Sequence, residues 1–199
     1  MYVQAAAGAT ELVRGSAREL DGLGIGEDPE TGFWAANVMV ESGLLQEAAP
    51  VHAKAKQSMF WEQLPHADRV HGEAMAGLSS GAPDAEVLLR AAAAHPHLGI
   101  RSSASHVLAR LLRERGSCGE VVTVLEKATS IPPSVVVAGR AFRIPLELHW
   151  LAECHEKLGD LTKARERNDE FLRLWADADP DLPLLAEATA LQARLASAR

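Results

Sequence analysis

Four glycines recur along the chain at near-regular spacing: Gly43, Gly81, Gly116 and Gly159 lie 38, 35 and 43 residues apart. That length of period suits a helical hairpin, and hairpins repeated along a chain stack because none can bury its apolar stripe alone. Other columns agree in the same register. Seven residues before the glycines stand Ala36, Ala74, Ala109 and Ala152; five after them stand Ala48, Glu86, Val121 and Ala164; twelve after stand Ala55, Ala93, Ala128 and Phe171. Small side chains at such points let two antiparallel helices approach closely across a turn.

Composition supports helices. Ala and Leu together fill 61 of 199 positions, and aromatic residues make up 5%. These are helix formers, and β-branched apolar residues are too few for a large sheet. Gly and Pro divide the chain into pieces of about one helix. Gly22, Gly24, Gly26 and Pro29 close a first stretch from Val3 to Leu23. Gly43, Pro65, Gly81 with Pro83, His95-Pro96, Gly116 with Gly119, Ile131-Pro132-Pro133 and Gly159-Asp160 mark the later breaks. Asp179-Pro180-Asp181 reads as the end of one helix and the cap of the last. Between breaks the leucines keep a helical period, as in Leu108, Leu111 and Leu112 or Leu184, Leu185, Leu191 and Leu195. Val135-Val136-Val137 is the one strand-like run.

The stretch from Trp150 to Ala164, with Leu151, Ala152, Gly159, Asp160 and Ala164 in place, resembles the core of a tetratricopeptide repeat. Leu108, Ala109, Leu112 and Val121 repeat it around Gly116, and Phe171 to Pro183 is similar to the last repeat of long bacterial arrays. The resemblance implies an all-α, right-handed solenoid of stacked helical hairpins. It also implies C-terminal repeats of a bacterial array whose longer chain carries additional domains, such as a kinase, cyclase or DNA-binding module. The chain then reads as a single repeat domain over 1–199. A leading helix takes 1–27, hairpins take 28–64, 65–99, 100–135 and 136–180, and a capping helix takes 181–199.

The net charge of −7 comes from residues 1–100, while residues 101–199 balance. No basic stripe marks a nucleic-acid interface. No apolar run reaches the ~18–20 residues that would cross a bilayer, and Met1 to Ala9 lacks the pattern of a secretory signal. Two cysteines, Cys118 and Cys154, are too few for a disulfide framework. They read as reduced thiols, Cys118 free in a turn and Cys154 in the core, of a cytoplasmic protein.

Candidates for chemistry have simpler readings beside them. Gly22-Leu23-Gly24-Ile25-Gly26 lacks the spacing and the preceding strand of a phosphate loop and suits a linker. His149 and Glu153 share a helix face, but Cys154 and His155 point elsewhere, so a closed metal set is not expected. Asp177, Asp179 and Asp181 lack the Gly and distal Glu of a calcium loop. No base accompanies Cys118, and no acid–base pair can be placed in one pocket, so neither enzyme activity nor a cofactor is expected.

Two columns carry more. Ten residues before the turn glycines stand Phe33, His71, His106 and His149; six before stand Asn37, Met75, Arg110 and Glu153. Residues four apart share a helix face. In the tetratricopeptide family these points of the first helix face the concave groove, so the resemblance implies a peptide-binding face, with Trp34 and Trp150 as neighbouring anchors or as core. The expected function is a non-catalytic protein–protein interaction module, a scaffold holding a peptide or partner helix in its groove. The alternative is a sensor or regulatory region of a multidomain regulator, binding a small ligand or its own catalytic domain.

Overall fold

A computed structural model describes residues 28–129 and 140–198, together with Gly15, which is helical. The rest of the expected leading helix Val3 to Leu23, the Gly22–Gly26 linker, the Ile131-Pro132-Pro133 break and the Val135–Val137 run lie outside the described residues. Among the described residues every regular element is an α-helix. In order they are α1 (Pro29–Glu41), α2 (Leu45–Lys56), α3 (Met59–Gln63), α4 (His66–Ser80), α5 (Ala85–Ala93), α6 (Leu98–Glu114), α7 (Cys118–Thr129), α8 (Arg140–Lys157), α9 (Leu161–Leu174) and α10 (Pro183–Ser197). No described helix is long and apolar enough to cross a membrane.

The four periodic glycines do one job. Gly43, Gly81, Gly116 and Gly159 have φ of 88°, 71°, 74° and 81°, and no described residue other than glycine has positive φ. After each, the next backbone N–H reaches the carbonyl five residues back: Leu44 to Met39, Ala82 to Gly77, Ser117 to Leu112 and Asp160 to His155, at 2.8–2.9 Å. This six-residue closure ends a helix by turning one residue left-handed, a conformation that costs glycine least. The following helix therefore starts within a few residues, and around Gly43, Gly81 and Gly159 the two helices pack on each other.

The alanine column lies in the packed interior. Ala36, Ala74, Ala109 and Ala152 are each fully buried. Two helix starts are set by aspartates: Asp28 accepts a 2.8 Å bond from the Thr31 N–H, and Asp160 one of 3.2 Å from the Lys163 N–H. The last helix departs from expectation. Leu182 is its N-cap with Pro183 at N1, while Asp179 accepts from the Asp181 N–H at 3.1 Å. Gly119 is no break either, since it lies in the first turn of α7. Conversely, the chain breaks at Gln57 and Ser58, between α2 and α3, without Gly or Pro.

The chain divides into two compact units, one ending at Val107 and one beginning at Leu108. In the first, α1 packs on α2, α4 on α5, and both α1 and α2 on α4, with α3 against α2. One of its cores joins Phe33, Ala55, Trp61 and Leu64, with Phe60 alongside. In the second unit α8 packs on α7 and α9, and α10 covers α9 and α8. Its cores are Leu148, Phe171, Leu184 and Ala188, and Ala152, Ala164, Leu191 and Leu195.

Candidate functional site

The groove columns sit deeper than a binding face requires. Phe33 and Met75 are fully buried, and Asn37, His71, His106 and His149 are 1–6% exposed. Arg110 and Glu153 alone keep partial exposure, with side chains at 13% and 21%. Trp150 is buried, whereas Trp34 is 44% exposed.

In the first unit α1 directs Phe33, Asn37 and Glu41, four residues apart, to one side. Phe33 meets the rings of Phe60 and Trp61 at centroid distances of 5.7 Å. Asn37 Oδ1 lies 3.1 Å from His52 Nε2, and His52 Nδ1 lies 3.1 Å from Ser79 Oγ. His52 thus links α2 to α1 and α4. Burial first, then the neighbouring His71 and Lys56 charges, hold its pKa down to about 4, so the ring is neutral at pH 7. A neutral ring has one N–H, and Nε2 donates it to the Asn37 carbonyl oxygen.

A second buried chain runs through His71, Ser103 and Glu41. His71 Nε2 is 2.8 Å from Ser103 Oγ, and the Ser103 hydroxyl donates to Glu41 Oε1. The order differs from that of a serine nucleophile, where the carboxylate holds the far side of the imidazole and the ring takes the hydroxyl proton. Here the carboxylate holds the hydroxyl itself. All three residues are buried, so the chain ties α1, α4 and α6 together.

In the second unit His149 lies on α8 with its ring 5.8 Å from Phe171. Its Nε2 is 3.4 Å from Glu187 Oε2 and 3.7 Å from Glu153 Oε1. Burial pushes its pKa down, outweighing Glu153 and Glu187, which raise it; Arg113 lowers it further. Arg113 places Nε and Nη2 at 2.9 and 2.8 Å from Glu153 Oε2, and stands 5.8 Å from the Trp150 ring centroid. Among the described residues, no group of three or more His, Cys, Asp or Glu is arranged to hold a metal ion.

The largest departure concerns the cysteines. Cys118 and Cys154, expected as separate thiols, form a disulfide, with Cα atoms 4.9 Å apart. Cys118 opens α7 and Cys154 lies in the last turn of α8. Packing of α7 on α8 brings two positions 36 residues apart in sequence to bonding distance. Sequence reasoning took Cys118 as free in a turn and Cys154 as core of a helix, and so missed the pair. It also missed His52, Ser103 and Glu187. Their partners are 15 to 62 residues away, and no local spacing marks them. No family model matches the chain, and no curated protein or solved structure matches it either.

Proposed function

We propose that the chain is a non-catalytic protein-interaction module of the tetratricopeptide kind, its hairpins stacked as a right-handed solenoid that holds a peptide or partner helix. The observation that carries this reading is the register. Four glycines with positive φ close four turns with the same hydrogen bond, and the alanine seven residues before each is fully buried. A chain that repeats one hairpin geometry presents the same helix face again and again, and such surfaces suit extended ligands.

The groove residues divide accordingly. The buried ones set the shape of the face, and partner contact falls to Arg110 and Glu153, the charged members that keep exposure. Opposite signs there fit a peptide that carries both charges or presents backbone groups. The test is to pan a random peptide library on the full chain and titrate an enriched peptide against the Arg110→Ala, Glu153→Ala double variant. Weakening of at least about 1 kcal/mol, roughly fivefold, supports the groove. Unchanged affinity in a folded variant refutes it.

The disulfide favours the second reading, a sensor region of a larger regulator. The pair no longer argues for a reducing compartment, and in such a compartment Cys118–Cys154 would be a bond that cycles, because stable disulfides are rare there.

A further inference from the structure

Both cysteines of the disulfide are buried, but not equally. Cys154 is fully enclosed, whereas Cys118, 6% exposed, borders an open cavity of about 410 Å³. Gly116, Ser117, Gly119, Glu120, Lys157 and Leu158 wall that cavity, so one acid and one base face the entering thiol. Space is open beside the turn: a Cβ added at Gly116 or at Gly119 would meet no heavy atom within 4 Å. Cys118 is also the first residue of α7, at the positive end of the helix dipole, which favours an anionic sulfur.

We propose that Cys118–Cys154 is a thiol-exchange site for a small monothiol, and that Cys118 Sγ is the atom attacked. The monothiol enters the cavity and ionises. Its thiolate bonds to Cys118 Sγ as the Cys118–Cys154 bond breaks. The electron pair leaves on Cys154 Sγ, which takes up the proton that the monothiol gave. The products are a mixed disulfide at Cys118 and a free thiol at Cys154. The incoming sulfur has been oxidised to the disulfide level and Cys154 reduced. A second monothiol attacking the outer sulfur of the mixed disulfide releases the external disulfide and leaves Cys118 as thiolate at the start of α7. In reverse, Cys154 attacks the mixed disulfide and closes the bond. Access decides the direction, because the sulfur of Cys154 has no exposed side. Exchange unties the first turn of α7 from the end of α8. The site stands independently of whether the chain binds a peptide.

The experiment uses the full oxidised chain and reduced glutathione as the probe monothiol. Early time points are acid-quenched, alkylated with iodoacetamide and mapped by peptide mass spectrometry. One glutathione on Cys118 with alkylated Cys154 is the expected result. A Gly119→Phe variant, which fills the approach from a helical surface position, should keep its helical circular dichroism and its disulfide but exchange at least tenfold more slowly. Glutathione on Cys154, exchange only after unfolding in urea, or a Gly119→Phe rate equal to that of the parent chain would each overturn the assignment. So would alkylation of both cysteines in chain that has been treated with diamide and never reduced.

Discussion

Gly159 shows how much one residue decides. Its φ of 81° is open to any side chain spatially, since an added Cβ meets nothing within 4 Å. The cost of Gly159→Ala is therefore backbone strain alone, about 1–2 kcal/mol, and a lowered urea midpoint should show it. Gly72, inside α4, is the opposite case. Its φ is ordinary, but a Cβ there would lie 2.6 Å from Phe33 Cε2 and 3.0 Å from Trp61 Cη2. Alanine normally gains about 1 kcal/mol over glycine in a helix. Gly72→Ala should nonetheless destabilise, because two buried rings must shift, and a midpoint above that of the parent chain would contradict this packing. At Ala152 the neighbours Ala164, Leu191 and Leu195 leave no slack. Ala152→Leu should cost about 1–3 kcal/mol by overpacking, read as a fall in melting temperature.

Between elements, the polar contacts do what a larger apolar stripe would do elsewhere. His52 ties α2 to α1 and α4 through Asn37 and Ser79. Its folded pKa is about 4 against an ordinary 6.5. Between those values the unfolded chain binds more protons, so stability is whole above pH 6.5 and falls as pH drops toward 4. The slope from this group reaches at most about 1.4 kcal/mol per pH unit. His149, also held down by burial, acts with the same sign. Urea midpoints should therefore be lower at pH 5 than at pH 7.5, and His52→Gln should shrink the difference. A parent chain equally stable at both pH values would show that the ring is not neutral and enclosed. Asp28 and Asp160 cap α1 and α9 through local bonds, yet sequence reasoning took neither as a cap. It placed the cap of α10 at Asp179-Pro180-Asp181, whereas Leu182 and Pro183 set it by backbone conformation rather than by a side chain.

For the molecule as a whole, the disulfide is the main covalent constraint. It closes a ring of sequence separation 36, which includes the stretch 130–139. Chain-entropy reasoning gives about 3–4 kcal/mol for a loop of that length. Denaturation of the full chain with and without a phosphine reductant should show a loss of that order, and a Cys154→Ala variant should be insensitive to the reductant. The proposed solenoid is a separate matter. It requires that an experimental structure show hairpins stacked in one direction, and a closed four-helix bundle would exclude it.

The sequence by itself did not determine the break at Gln57 and Ser58 or the helical place of Gly119, but it did determine that the chain is helical, where the four glycine turns fall and that the alanine column is buried. These are properties of neighbouring residues: glycine reaches positive φ, alanine lets helices touch, and both recur within one period. It also placed His149 and Glu153 on one face, since a four-residue step is local. Only the tertiary structure decided that His52 meets Asn37, that Ser103 sits between His71 and Glu41, and that Cys118 bonds Cys154. Each of those pairs depends on how one helix is rotated and shifted against another. That rotation is set by the summed packing of many side chains, and no single spacing in the sequence encodes it.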